Sequence, residues 1–285
     1  MDLEGRREST NVEDRRGKRA AGVSLGIGGT IIVGLIALLI GRNPSEVLKT
    51  VNNATGGSQT ESNYTPTAEE EELASFTKKI LASTEDVWSA QFKKIGQQYV
   101  PPKLVMFTGQ VQSGCGNATA EVGPFYCSAD QTVYIDLSFF STMRQSLGAD
   151  GDFAYAYVIA HEVGHHVQNL RGTLSQAHQK MAQVSQKESN QISVRIELQA
   201  DYYAGVWAHH ENAMFKSLDD GDLEEAINTA SVIGDDYLQK KARGYATPES
   251  FNHGTSQQRM KWLKKGFDTG DINGGTTFQG SYSDL

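Results

Sequence analysis

A run of twenty residues without a charged side chain, AGVSLGIGGTIIVGLIALLI at 21–40, constrains this chain more than any other stretch. At about 1.5 Å of rise per residue, a helix of that length spans roughly 30 Å, the thickness of a bilayer's hydrocarbon core. A helix buried in a soluble core rarely stays apolar on every face for so long, and its glycines are tolerated in lipid. The run therefore reads as a transmembrane helix. Arg6, Arg7, Arg15, Arg16, Lys18 and Arg19 precede it, whereas only Arg42 and Lys49 follow closely. The positive-inside rule then predicts a single-pass protein of the cell membrane, with a cytoplasmic N-terminus and an extracytoplasmic domain. A cleaved signal peptide is the competing reading, but its apolar region runs about 7–15 residues and ends at a small-residue cleavage site. Here the run is longer and exits through Gly41-Arg42-Asn43-Pro44.

The flanks divide the rest. Residues 1–20 are charged, mixed in sign and poor in apolar groups, which predicts a disordered cytoplasmic tail. Residues 41–66, rich in Asn, Thr, Ser and Gly, predict a flexible linker. The domain is expected over 67–285. Thr67-Ala68-Glu69-Glu70 suits a helix start, and the spacing of Leu73, Phe76, Ile80, Leu81, Val87, Trp88 and Phe92 predicts one amphipathic helix over 67–98, stopped by Pro101 and Pro102. Strands are expected at Lys103–Phe107 and Thr132–Phe139, the second being either a core strand or an edge that could pair with an extended peptide. After about residue 140 the pattern is helical, so the fold class is α+β and helix-dominated. Cys115 and Cys127 match no common zinc spacing; in an oxidising compartment they predict a disulfide. A net charge of −8 leaves no basic footprint for nucleic acid.

The apolar run Phe153–Ala160 leads into His161-Glu162-Val163-Gly164-His165-His166. On a helix His161 and His165 lie one turn apart on one face, so two imidazoles can grip one ion while Glu162 takes a proton from its water. His166 points about 100° around the helix from His165 and cannot easily join them. A catalytic zinc needs a third protein ligand. Glu197, 32 positions after His165 in Glu197-Leu198-Gln199-Ala200-Asp201, is the best candidate, on a helix too apolar to be exposed. Asp201, one turn on, can accept the free ring N–H of a ligating histidine.

The pair HEVGHH and ELQAD resembles the gluzincin arrangement. More closely, CGNATAEVGPFYCSADQTVYIDLSFF, HEVGHHVQNLRG, ELQADYYAGVWAHH and NHGTSQQR resemble the bacterial putative neutral zinc metallopeptidase family, over about residues 70–280. The resemblance implies a zincin-like domain behind a single N-terminal transmembrane helix. Its activity would be zinc-dependent hydrolysis of peptide or protein substrates. On this sequence it maps to one catalytic zinc held by His161, His165 and Glu197, with Glu162 as general base towards a zinc-activated water. An oxyanion donor is still needed; His253 is the first candidate, Tyr202 and Tyr203 the others. The rival reading is a membrane-tethered zinc-binding adaptor or structural protein without peptidase activity. An amidase of cell-wall peptide links is a further one.

Overall fold

Helix α1 (Ala68–Lys94) begins where its own residues cap it. The Thr67 side chain accepts from the Glu70 N–H, and the Glu70 carboxylate accepts from the Thr67 N–H. Glutamates fill the first turn and lysines the last, matching the helix dipole. The helix stops short of the expected residue 98 because Gly96 takes a left-handed φ of 72°. This computed structural model describes residues 1–17, 64–119 and 122–285. The expected transmembrane helix at 21–40, and the linker as far as residue 63, lie outside the described residues. Among the described residues no helix is long and apolar enough to cross a membrane.

Among the described residues six strands form two sheets: β1 (Val12–Asp14), β2 (Lys103–Phe107), β3 (Gln110–Ser113), β4 (Gly116–Thr119), β5 (Phe125–Cys127) and β6 (Thr132–Asp136). The larger sheet has the order β1-β2-β6-β5, parallel except for β5, and β3 and β4 make a separate hairpin. Strand β6 ends earlier than expected. The Asp136 carboxylate accepts the N–H groups of Ser138 and Gly109, turning the chain into the short helix α2 (Ser138–Thr142). Every residue of β6 is buried and both its edges are paired, so it is a core strand and has no edge to offer a peptide.

The rest is helical: α3 (Asp152–Leu170), α4 (Thr173–Met181), α5 (Gln186–Phe215), α6 (Asp222–Val232), α7 (Asp235–Arg243) and α8 (Ser256–Thr269). Helices α5 and α8 cross with backbones in contact. A Cβ on Gly205 would lie 2.1 Å from the Leu263 carbonyl oxygen, and one on Gly266 2.0 Å from that of Tyr202. One apolar core joins Trp88 and Phe92 of α1, Ile159 of α3, Trp207 of α5, Leu263 of α8 and Ile135 of β6. The helix-dominated α+β class expected from the sequence is the one observed.

Residues 1–17 differ from the expected disordered tail, because they are part of this fold. Leu3 is buried in the core and β1 extends the sheet beside β2. Arg6 Nη1 lies 2.6 Å from the carboxylate of Glu211, which is fully buried. Glu85, also buried, accepts from Arg7 Nη1 at 3.0 Å, Ser9 Oγ at 2.5 Å and Asn11 Nδ2 at 2.7 Å. Two of the charges that make this segment look disordered, Arg6 and Arg7, are the partners of the buried carboxylates of Glu211 and Glu85.

Replacing Arg6 by alanine leaves Glu211 without a cation in the core. Urea unfolding should show a loss of about 3–5 kcal/mol. Arg15→Ala, which removes the solvent-exposed pair with Glu13, should cost under about 1 kcal/mol.

Candidate metal centre

Helix α3 has no side-chain cap of its own. One of its first free N–H groups is met from α6, where Glu225 Oε2 accepts from Phe153 N at 3.2 Å. The helix is then buried without a break from Phe153 to Gly164, which brings His161 and Glu162 inside the protein.

Gly164 sets what they meet. A Cβ there would lie 2.9 Å from the Ala200 carbonyl oxygen, so α3 and α5 touch backbone to backbone between the two histidines. Glu197 and Asp201, on either side of Ala200, therefore face α3. His161 Nε2 is 3.2 Å from Glu197 Oε2, and His165 Nε2 is 3.5 Å from Glu197 Oε1. One donor atom from each of these three residues lies within 4.8 Å of the others. Zinc bonds of about 2.0–2.1 Å in a tetrahedron set ligands roughly 3.3 Å apart. Two imidazoles and a carboxylate at these spacings fit one zinc ion, with a fourth position left for water or substrate.

Each histidine is held from behind. His161 Nδ1 is 2.8 Å from Asp201 Oδ1, and His165 Nδ1 is 2.9 Å from Gln168 Oε1. Both partners are acceptors, so each Nδ1 donates its proton to the group behind it and each Nε2 is the atom turned towards the shared site. Gln168 is fixed in turn by donating Nε2 to the Ile196 carbonyl at 2.7 Å. Asp201 is fully buried and also accepts from Tyr157 Oη at 2.6 Å and from Arg259 through Nε and Nη2, both at 2.9 Å. Burial alone would raise its pKa, but Arg259 and His161 hold the carboxyl well below the usual range. Burial likewise works against ionised Glu197, yet the field of His165 and the hydrogen bond from His161 bring it down to about 2. Glu162 goes the other way. Burial raises its pKa, and His165 and His161 offset this only in part.

His253 reaches the same cavity from the far side of the chain, beside Glu162, Glu197 and Arg259. The Asp235 carboxylate at the start of α7 accepts the N–H groups of Asn252, His253 and Gly254 at 2.7–3.0 Å and stands 3.1 Å from His253 Nδ1. Burial lowers the pKa of His253, but Asp235 outweighs it and the net shift is upward. Thr255 then caps α8, one turn before Arg259.

The sequence matches the family described as putative neutral zinc metallopeptidase over residues 1–278. The chain belongs to that family. It is 50% identical over 280 residues to the uncharacterized protein YpfJ of Escherichia coli (strain K12), covering 95% of this chain and 96% of the relative. It is 40% identical over 210 residues to the uncharacterized protein Rv2575 of Mycobacterium tuberculosis (strain ATCC 25618 / H37Rv), covering 70% of each. No solved structure matches it.

In this member of the family, His161, Glu162, His165, Glu197 and His253 line one cavity, and Asp201 stands behind His161. His166 is turned away, with Nδ1 on Tyr126 Oη and Nε2 on the Val100 carbonyl. His209 and His210 are spent on backbone carbonyls of Phe267 and Gly270. Tyr202 and Tyr203 are not oxyanion donors here. The first donates to the Asp271 carbonyl at 2.6 Å, the second packs edge-on against Trp88, and neither lines the metal cavity. Cys115 and Cys127 form the expected disulfide, and the loop it closes lends Val122, Gly123 and Pro124 to the cavity wall. Tyr157, Gln168, Asp235 and Arg259 were missed. Gln168, three residues after His165 on α3, is the one that helical spacing could have pointed to.

Asp201→Asn should weaken zinc binding about 10–100-fold in competition with a chromogenic chelator. Gly164→Ala should weaken it as well, by pushing Glu197 away from the histidines.

Proposed function

We propose that this protein is a zinc-dependent peptidase acting on peptide or protein substrates. The observation that carries the reading is a single one. The buried Glu162 carboxyl lies in the same cavity as the three converging donors of His161, His165 and Glu197. A purely structural zinc is normally closed by four protein ligands and has no use for such a neighbour.

His161, His165 and Glu197 would hold the ion, with Asp201 and Gln168 keeping the two imidazoles in register. Bound there, zinc supplies a Lewis acid that polarises a peptide carbonyl and makes water a better nucleophile at neutral pH. Glu162 accepts the water's proton and passes it to the departing amine. Its raised pKa brings it closer to the working pH, where a general base that must also act as an acid is most effective. His253, held by Asp235, donates a hydrogen bond to the carbonyl oxygen as that atom gains negative charge. Phe139, Met143, Val158 and Ile233 give the cavity an apolar wall that excludes water around these charges. In this reading residues 21–40 engage a membrane.

Glu162→Gln should keep a full complement of zinc while hydrolysis of denatured casein falls at least about 100-fold; wild-type hydrolysis in that variant would sink the proposal. Glu197→Ala should lose zinc on dialysis. A protonated Glu162 cannot accept a proton, so kcat/KM should fall as pH drops through its raised pKa, above the ordinary carboxylate range. His253→Ala should lower kcat about 100–1,000-fold with zinc content unchanged.

A further inference from the structure

We infer that residues 1–17 and the metal centre share one side of any membrane this protein enters, because the domain carries a surface whose partner is this N-terminal segment. The inference is independent of the peptidase reading.

The surface is built around two carboxylates that have no other cation among the described residues. Glu211 is fully buried on α5; besides Arg6 its partners are the hydroxyls of Ser83 and Ser217. Glu85 on α1 is paired with Arg7 and hydrogen-bonded to Ser9 and Asn11, all from the same segment. Without residues 6–11, the fully buried Glu211 and the largely buried Glu85 would lack their counter-charges. The remaining contacts are of several kinds. The Arg6 guanidinium lies 3.6 Å over the Phe215 ring, Leu3 enters the apolar core, and β1 pairs with β2 in register from Val12↔Leu104 to Asp14↔Met106. The family match also begins at residue 1, so segment and domain fall within one matched unit.

The segment leaves the fold where the chain comes back. A Cβ added to Gly17 would lie 2.4 Å from the Cβ of Tyr64, and Arg16 beside it pairs with Glu71 on the first turn of α1. A single crossing by 21–40 would put Gly17 and Tyr64 on opposite sides of about 30 Å of hydrocarbon. Those contacts could not then form. The single-pass arrangement with a cytoplasmic tail and an exterior domain is therefore incompatible with this fold.

The test uses the full-length chain expressed in intact cells. Glu4→Cys and Lys187→Cys place thiols at exposed positions on the segment and on α5. A membrane-impermeant maleimide is added before or after permeabilisation, and labelled peptides are read by mass spectrometry, which separates these sites from Cys115 and Cys127. Both sites should behave alike, labelled in intact cells or protected until permeabilisation. If one site is labelled in intact cells and the other only after permeabilisation, the inference fails.

Discussion

Helices α3 and α5 touch at Gly164 and Ala200, and the chemistry of the molecule depends on that contact. Two histidines one turn apart can offer an ion only two nitrogens. The third donor has to come from another element, and its carboxylate must arrive within a few ångströms. A Cβ at position 164 would lie 2.9 Å from the Ala200 carbonyl oxygen and press α5 away from α3, and with it the Glu197 carboxylate. The contact also sets Asp201 behind His161, so one point of backbone approach brings together the three candidate donors and the carboxylate that orients one of them.

A common device recurs through the rest of the fold: a buried carboxylate answered by a specific basic side chain from another part of the chain. Asp201 is met by Arg259 from α8, Asp235 by His253, and Glu211 by Arg6. Each pair costs desolvation on both sides and contributes less to net stability than its distance suggests. Removing one partner is expensive, however, because the other is left charged in a low-dielectric interior. These pairs therefore act as constraints on arrangement. Arg259 ties α8 to the metal centre, Asp235 fixes the loop that carries His253, and Arg6 ties the N-terminus to α5.

What the sequence made legible follows the range of each interaction. His161, Glu162 and His165 are local, set by helical period, and Glu197 with Asp201 repeats that period on a helix too apolar to be exposed. The Thr67 and Glu70 capping box is local as well, and it marked the start of α1. Arg259, Asp235 and Tyr157 carry no such signal. They matter only because α8, α7 and α3 meet in space, and an arginine or aspartate on a helix is ordinarily solvated. The N-terminal segment misled for a physical reason. Its charge and scarcity of apolar residues are what a disordered tail has, and nothing in the local pattern reveals that Glu85 and Glu211 wait for those charges. Strand β1, three residues long, is too short for a period of two to register.

The proposed function requires one zinc ion between α3 and α5, on two imidazoles and a carboxylate. X-ray absorption at the zinc edge, on the full chain loaded with one equivalent of zinc, tests it most directly. The expected first shell is nitrogen and oxygen at about 2.0–2.1 Å, with the outer-shell scattering of two imidazoles. Sulfur at about 2.3 Å, a first shell without imidazole, or failure to retain zinc would contradict it.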